Sequence, residues 1–210
     1  MPRDHLQPYV DALAEHGPGF EATLWRSPAA QRTRFEVATR MLCCANHRVA
    51  DLGCGTGDFA LFLAEGTSPP SAYLGVDAHR EMVDAAREAV SGSASFETVF
   101  EVLDLVDDLR PVAAWKPDVC VISGTLNTMR QSQALDVVAR AFEVSRIGVV
   151  FNYLSDRPHD RFVGRDTAPA RRFATIEVLD WCMQMTPNVQ FRQDYLDGHD
   201  ATIAITRSQS

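Results

Sequence analysis

Residues 49–66 read VADLGCGTGDFALFLAEG. An apolar run ending at Leu52 meets a turn with glycine at 53, 55 and 57, and the turn opens into an amphipathic run that Gly66 stops. Glycine lets a backbone approach its neighbour closely, because no Cβ stands in the way. A short buried strand, a glycine turn and a helix, in that order, start a parallel α/β unit. The stretch raises one question: whether the turn holds a phosphate, another nucleotide-like group, or only the next helix.

Downstream the same rhythm repeats. AYLGVD (72–77) reads as a second strand and HREMVDAAREAV (79–90) as a helix. SFETVFEVLDL (95–105) is a third strand running into an acidic corner. PDVCVIS (117–123) is a fourth strand with SGTLN as its exit loop. QSQALDVVARAFEVS (131–145) is a helix and IGVVFNYL (147–154) a fifth strand. Alternating strands and helices call for a mostly parallel sheet with helices on both faces. The tail departs from this. An arginine-rich stretch (155–172) precedes a helix around ATIEVLDWCMQM. NVQFRQDYL and ATIAITR then read as two strands joined by DGHD, and so short a link implies an antiparallel pair. Upstream, residues 4–16 read as a helix ending at Gly17, and a second helix starts at Ser27 as N-cap with Pro28 in its first turn. The whole chain, 1–210, reads as one domain: an N-terminal helical cap over 1–46 and an α/β core over 47–210. The Pro and Gly breaks within residues 1–26 suit a mobile lid.

Composition narrows the function. A hydrophobic fraction of 46% and a formal charge of −8 describe a globular chain without the basic footprint that nucleic acid or anionic lipid requires. No apolar run is long enough to span a membrane, and the N-terminus lacks the apolar stretch of a secretion signal. The 5 cysteines are never spaced as CxxC, which fits thiols in a reducing cytoplasm better than a disulfide frame or a zinc site.

In open α/β sheets ligands sit at the carboxyl ends of the strands. Dinucleotide binders place a diphosphate on the first helix and require G-x-G-x-x-G or A there. Here the sixth position is Asp58, and two anions in a partly desolvated site would repel. Asp51, just before the glycines, suits a cofactor with a cationic amino group and a cationic sulfur. S-adenosylmethionine has both and no phosphate. Asp58 itself sits well in a first helical turn through the helix dipole alone. Asp77, ending the second strand, is placed to accept hydrogen bonds from two ribose hydroxyls. Asp104 ends the third strand within reach of an adenine amino group, and Ser123-Gly124-Thr125 ends the fourth.

These residues identify a family. The chain resembles the class I S-adenosylmethionine-dependent methyltransferases, with VADLGCGTGDF similar to their first motif and YLGVDAHREMV to their second. The resemblance covers residues 48 to about 153, and the final strand pair is similar to the family's closing hairpin. It implies a Rossmann-like, seven-stranded, mostly parallel sheet with helices on both faces and an antiparallel last strand. It implies that Asp51, Gly53, Cys54, Gly55, Thr56 and Gly57 hold the methionine part of the cofactor. Asp77, with Ala78 and Met82 after it, would serve the ribose side; Asp104 and Leu105 would flank the adenine; Ser123 and Gly124 would lie near the sulfur. LWRSPAAQRTRF is similar to small bacterial members, where Trp25 and Arg26 would close over the cofactor, Arg26 on its carboxylate. Alternatively they are a core tryptophan beside a surface arginine.

Methyl transfer from a sulfonium needs alignment and water exclusion, and a base only where the nucleophile arrives protonated and weak. His159, Tyr153 at the end of the fifth strand, and His199 in DGHD are the candidate bases. His79 is a helix-start or adenine-edge residue. Asn127 orients a substrate or caps the next segment. The strand-four exit SGTLN differs from the Asn/Asp-Pro-Pro-aromatic sequence of nucleobase amine methyltransferases. With the −8 charge this argues against base methylation of nucleic acid, and the short chain without a large insertion makes a small molecule the expected acceptor. Arg157, Arg161, Arg165, Arg171 and Arg172 suit an anionic one, or else form a solvated loop of ion pairs with Asp156, Asp160 and Asp166. A protein methyltransferase, a non-catalytic cofactor-binding partner and an NAD-type enzyme are the alternatives.

Overall fold

Two helices precede the sheet in the computed structural model, which describes residues 4–208. Helix α1 (Gln7–His16) carries Pro8 in its first turn and ends at Gly17. A 3-10 turn (Phe20–Thr23) leads to α2 (Pro28–Met41). Its N-cap is Ser27, whose Oγ accepts from the Ala30 N–H at 3.2 Å. The alternation then runs β1 (Arg48–Leu52), α3 (Asp58–Glu65), β2 (Ala72–Asp77), α4 (Arg80–Val90), β3 (Glu97–Val102), α5 (Arg110–Trp115), β4 (Val119–Ile122), α6 (Gln131–Val144) and β5 (Gly148–Ser155). It closes with the short β6 (Arg172–Phe173), α7 (Thr175–Met185), β7 (Val189–Arg192) and β8 (Asp200–Thr206).

The sheet order is β3-β2-β1-β4-β5-β8-β7, with β6 paired to β5 off this path. Strands β1 to β5 are parallel to their neighbours, and β8 runs antiparallel to both β5 and β7. The expected mostly parallel sheet with an antiparallel close is borne out. The eighth strand is the two-residue β6, and α5 is a helix that the local sequence does not announce.

Strand periodicity sorts the core into two layers. Ala50, Leu52, Cys120, Ile122, Val149, Phe151 and Tyr153 point to one face and pack with Val112, Val137, Val138 and Val178 of α5, α6 and α7. Val49, Tyr73, Val119, Val121 and Val150 point to the other and pack with Phe35, Phe59, Leu63, Val83 and Ala86 of α2, α3 and α4. Helix α2 thus belongs to the second layer, while α1 stands outside both. The order of strands reverses between β1 and β4, and the crevice at their carboxyl ends is where a ligand is expected in such a sheet.

Candidate functional site

A cavity opens in that crevice, where small-molecule sites form in such sheets. Asp51, Gly53, Cys54 and Gly55 line it from β1 and its turn; Asp77, Ala78, His79 and Met82 from β2 and α4; Asp104 and Leu105 from the end of β3; Ser123, Gly124 and Thr125 from the end of β4. Asp51 and Asp77 therefore share one cleft. In the turn, Gly53 has φ +90°, and a Cβ there would lie 2.0 Å from Thr125 Oγ1. The Gly55 N–H donates to Asp77 Oδ2 at 3.0 Å, tying the turn to the end of β2. Gly57 does something else: a Cβ there would meet Val90 at 3.0 Å and Ala86 at 3.2 Å. The third glycine thus serves the packing of α3 on α4, and neither it nor Thr56 lines the cavity. Thr56 Oγ1 donates to Asp58 Oδ2 at 3.0 Å instead.

Four carboxylates line this cavity, those of Asp51, Asp58, Asp77 and Asp104, and no lysine or arginine among the described residues does. Asp51 is 3% exposed, and its Oδ2 accepts from the Tyr73 hydroxyl at 2.5 Å. Burial pushes its ionisation up to about 7; the Tyr73 hydrogen bond opposes this, and the charges of Asp77 and Asp58 add to it. Asp77 Oδ1 accepts from the His79 N–H at 3.0 Å. Asp104 Oδ1 accepts from the Val106 N–H at 3.0 Å and lies 3.5 Å from His5 Nε2. Asp58 also accepts from Gln31 Nε2 at 3.1 Å, so it faces the cavity as well as the helix dipole. Such a set repels a phosphate and matches an adenosyl compound with ammonium and sulfonium charges. The buried Asp51 carboxylate, with no ion-pair partner among the described residues, is the feature that such a cation fits.

The exit of β4 is held by a residue that the sequence reading passed over. Asn152 of β5 accepts from the Gly124 N–H at 2.9 Å and donates to Ser123 Oγ at 2.8 Å. Trp25 lies against Gly124, where a Cβ would come within 2.3 Å of its ring. His5, Leu6, Tyr9 and Thr23 complete a cover over the cavity, anchored by Ala12 and Ala22 packing on Met82. Burial, with the nearby Asp77 charge, pushes the Tyr9 phenol up to about 12, so it stays protonated. Gln31 and Phe35 of α2 line the cavity too.

A second cavity adjoins the first across Tyr9, Thr23, Trp25, Gly124 and Thr128. Arg26 lines this one and not the first, which corrects its placement on the cofactor. Asn127 lines it while its Oδ1 accepts from the Leu154 N–H at 2.8 Å, so it fastens the β4 exit to β5. His199 lines it as well, tilted against Phe162 with ring centroids 4.4 Å apart. The other two candidate bases are corrected by the structure. Tyr153 is fully buried between Phe151 and Phe173 on the opposite face of β5, and burial drives its phenol far above its ordinary range. His159 is exposed, lines neither cavity, and its Nδ1 caps a turn by accepting from the Arg161 N–H at 3.2 Å.

Known proteins share this architecture. Residues 49–148 match a family described as a methyltransferase domain. Over 139 residues the chain is 29% identical to the ubiquinone/menaquinone biosynthesis C-methyltransferase UbiE of Geobacter sulfurreducens, a match covering 63% of this chain and 49% of that one. The match thus spans about half the length of that curated relative. Magnesium protoporphyrin IX methyltransferase from Synechocystis PCC 6803, solved with S-adenosylhomocysteine, superposes with a TM-score of 0.67 at 13% identity, covering 97% of this chain and 94% of that one. The small RNA methyltransferase HEN1 gives 0.69 at 13% identity, covering 89% of this chain and 26% of that one. Among the described residues no helix is long and apolar enough to cross a membrane. These matches bear out the resemblance to the class I S-adenosylmethionine-dependent methyltransferases, and with it S-adenosylmethionine as the cofactor.

Proposed function

We propose that the chain transfers a methyl group from S-adenosylmethionine to a small-molecule acceptor. The acidic first cavity is the cofactor site and the adjoining second cavity is the acceptor site. One observation carries this reading: the two cavities meet at Trp25 and Gly124, directly beside Ser123. When bound, the cofactor supplies a methyl on a cationic sulfur that is already activated for displacement. The chain's own residues bind and orient. Asp51 would pair with the amino group, Asp77 would accept from the ribose, and Asp104 and Leu105 would flank the base. Gly53, Cys54 and Gly55 would bring backbone close to the methionine part. Asn152 holds Ser123 and Gly124 rigid where the two cavities meet, and the cover from His5 to Trp25 would exclude water. A formal charge of −8 supports a small acceptor over a nucleic acid.

Incubation with S-adenosylmethionine labelled in its methyl group and a cell extract split by size tests this. Label is expected in the small-molecule fraction. Label confined to protein or to RNA would replace this reading with a macromolecular acceptor. Cofactor binding without transfer to any fraction would favour a binding partner over an enzyme.

A further inference from the structure

The walls of the second cavity differ in charge from those of the first. Arg26 and Arg165 stand on its rim, and neither pairs with a carboxylate of the described residues. Behind them Arg34, 5% exposed, grips Asp200 with two bonds, Nε to Oδ1 at 2.7 Å and Nη2 to Oδ2 at 2.6 Å. This leaves its Nη1 buried without a hydrogen-bond partner. Arg172 is spent on neutral groups: Nη1 donates to the Ser155 carbonyl at 2.6 Å, and Nη2 lies 3.1 Å from His199 Nδ1. A guanidinium only donates, so His199 Nδ1 is the acceptor and its proton sits on Nε2. Burial and the positive charges of Arg172, Arg34 and Arg26, outweighing Asp200, push the imidazole's ionisation down. His199 is therefore a neutral N–H donor in a positive field, not a base.

The acids present do not cancel that field. Asp200 is saturated by Arg34. Asp166 lies on the loop side, where its Oδ1 accepts from the Ala168 N–H at 2.9 Å. Tyr9 keeps its proton. The cavity thus offers donors and positive charge, and its titratable groups are poorly suited to taking a proton from an acceptor.

Resting on the reading of this cavity as the acceptor site, we propose that it takes a small organic carboxylate, paired with Arg26 and Arg165 on the rim and approached by the His199 N–H. One carboxylate is favoured over a phosphate monoester, because Asp166, on the same cavity wall and in no ion pair among the described residues, opposes a second negative charge. An acceptor that arrives ionised also needs no base.

The test is a ligand-observed NMR titration with benzoate, benzamide, benzylamine and phenyl phosphate, with and without saturating S-adenosylhomocysteine. Benzoate is expected to bind at least tenfold tighter than benzamide or benzylamine and tighter than phenyl phosphate, and to weaken as salt rises. Arg26→Ala and Arg165→Ala should each weaken benzoate about tenfold, and Arg26→Lys should restore part of the loss. Equal binding of benzamide or benzylamine, preference for phenyl phosphate, no benzoate binding, or indifference of benzoate to both alanine variants would overturn the proposal. Failure of S-adenosylhomocysteine to bind would instead strike the cofactor reading, because benzoate selectivity is read with and without it.

Discussion

Asp51→Asn is expected to make the ligand-free chain more stable at pH 8 while weakening S-adenosylmethionine binding a hundredfold or more. Folding raises the ionisation of Asp51 from its ordinary 3.8 to about 7. The folded chain therefore binds more protons than the unfolded one between those values, and this group's contribution to stability falls as pH climbs through that window. The ionised carboxylate in the folded site costs on the order of 4 kcal/mol above pH 7. Asparagine removes that cost and still accepts from Tyr73, so melting temperature at pH 8 should rise by roughly 5–15 °C. The gain should shrink towards pH 4. Binding should run the other way, because a buried cation loses its charged partner. In the unaltered chain, affinity should improve up to about tenfold per pH unit from 6 to 7, with a proton released on binding. Differential scanning fluorimetry across pH and calorimetry in two buffers of different ionisation enthalpy read both effects. A variant less stable at pH 8 would contradict this account of Asp51.

Asp200→Ala is expected to destabilise the chain by about 3–5 kcal/mol, which urea denaturation would register. Asp200 is 1% exposed and holds Arg34 of α2 against the start of β8 through two hydrogen bonds. Removing it strands a buried guanidinium whose other face rests on Trp25, 4.6 Å from the ring centroid. The expected loss is largely the cost of the orphaned charge. The double variant Arg34→Met, Asp200→Leu should therefore recover most of it. If the double variant is as unstable as Asp200→Ala, the geometry of the pair, rather than its charge, fastens α2 to the sheet.

The parts of this molecule legible in the sequence are those where local pattern and tertiary role coincide. Parallel strands buried on both faces read as apolar runs between turns, so β1, β2, β4 and β5 stand out, and the glycine turn locates the first cavity. The same feature hid the orientation of β5. GVVFNYLS is buried throughout, so its sequence gives no phase, and Tyr153 turns out to face α6 and α7 rather than the acceptor side. Asn152, a lone amide in that apolar run, was the available signal, since a buried amide must find partners. His5, Tyr9, Gln31 and Phe35 carry no local mark of the cavity. They reach it only because α1 and α2 fold over strands dozens of residues away. Helix α5, with Pro111 in its first turn and only 6 residues, lacks a length over which periodicity could show.

The central claim is that the cleft beneath the glycine turn binds a phosphate-free adenosyl compound between Asp51 and Asp77. Calorimetric titration of the unaltered chain with S-adenosylhomocysteine tests it most directly, with NADH as competitor. The account predicts a single site, saturable in the micromolar range and indifferent to NADH. No measurable heat with S-adenosylhomocysteine, or its displacement by NADH, would contradict it.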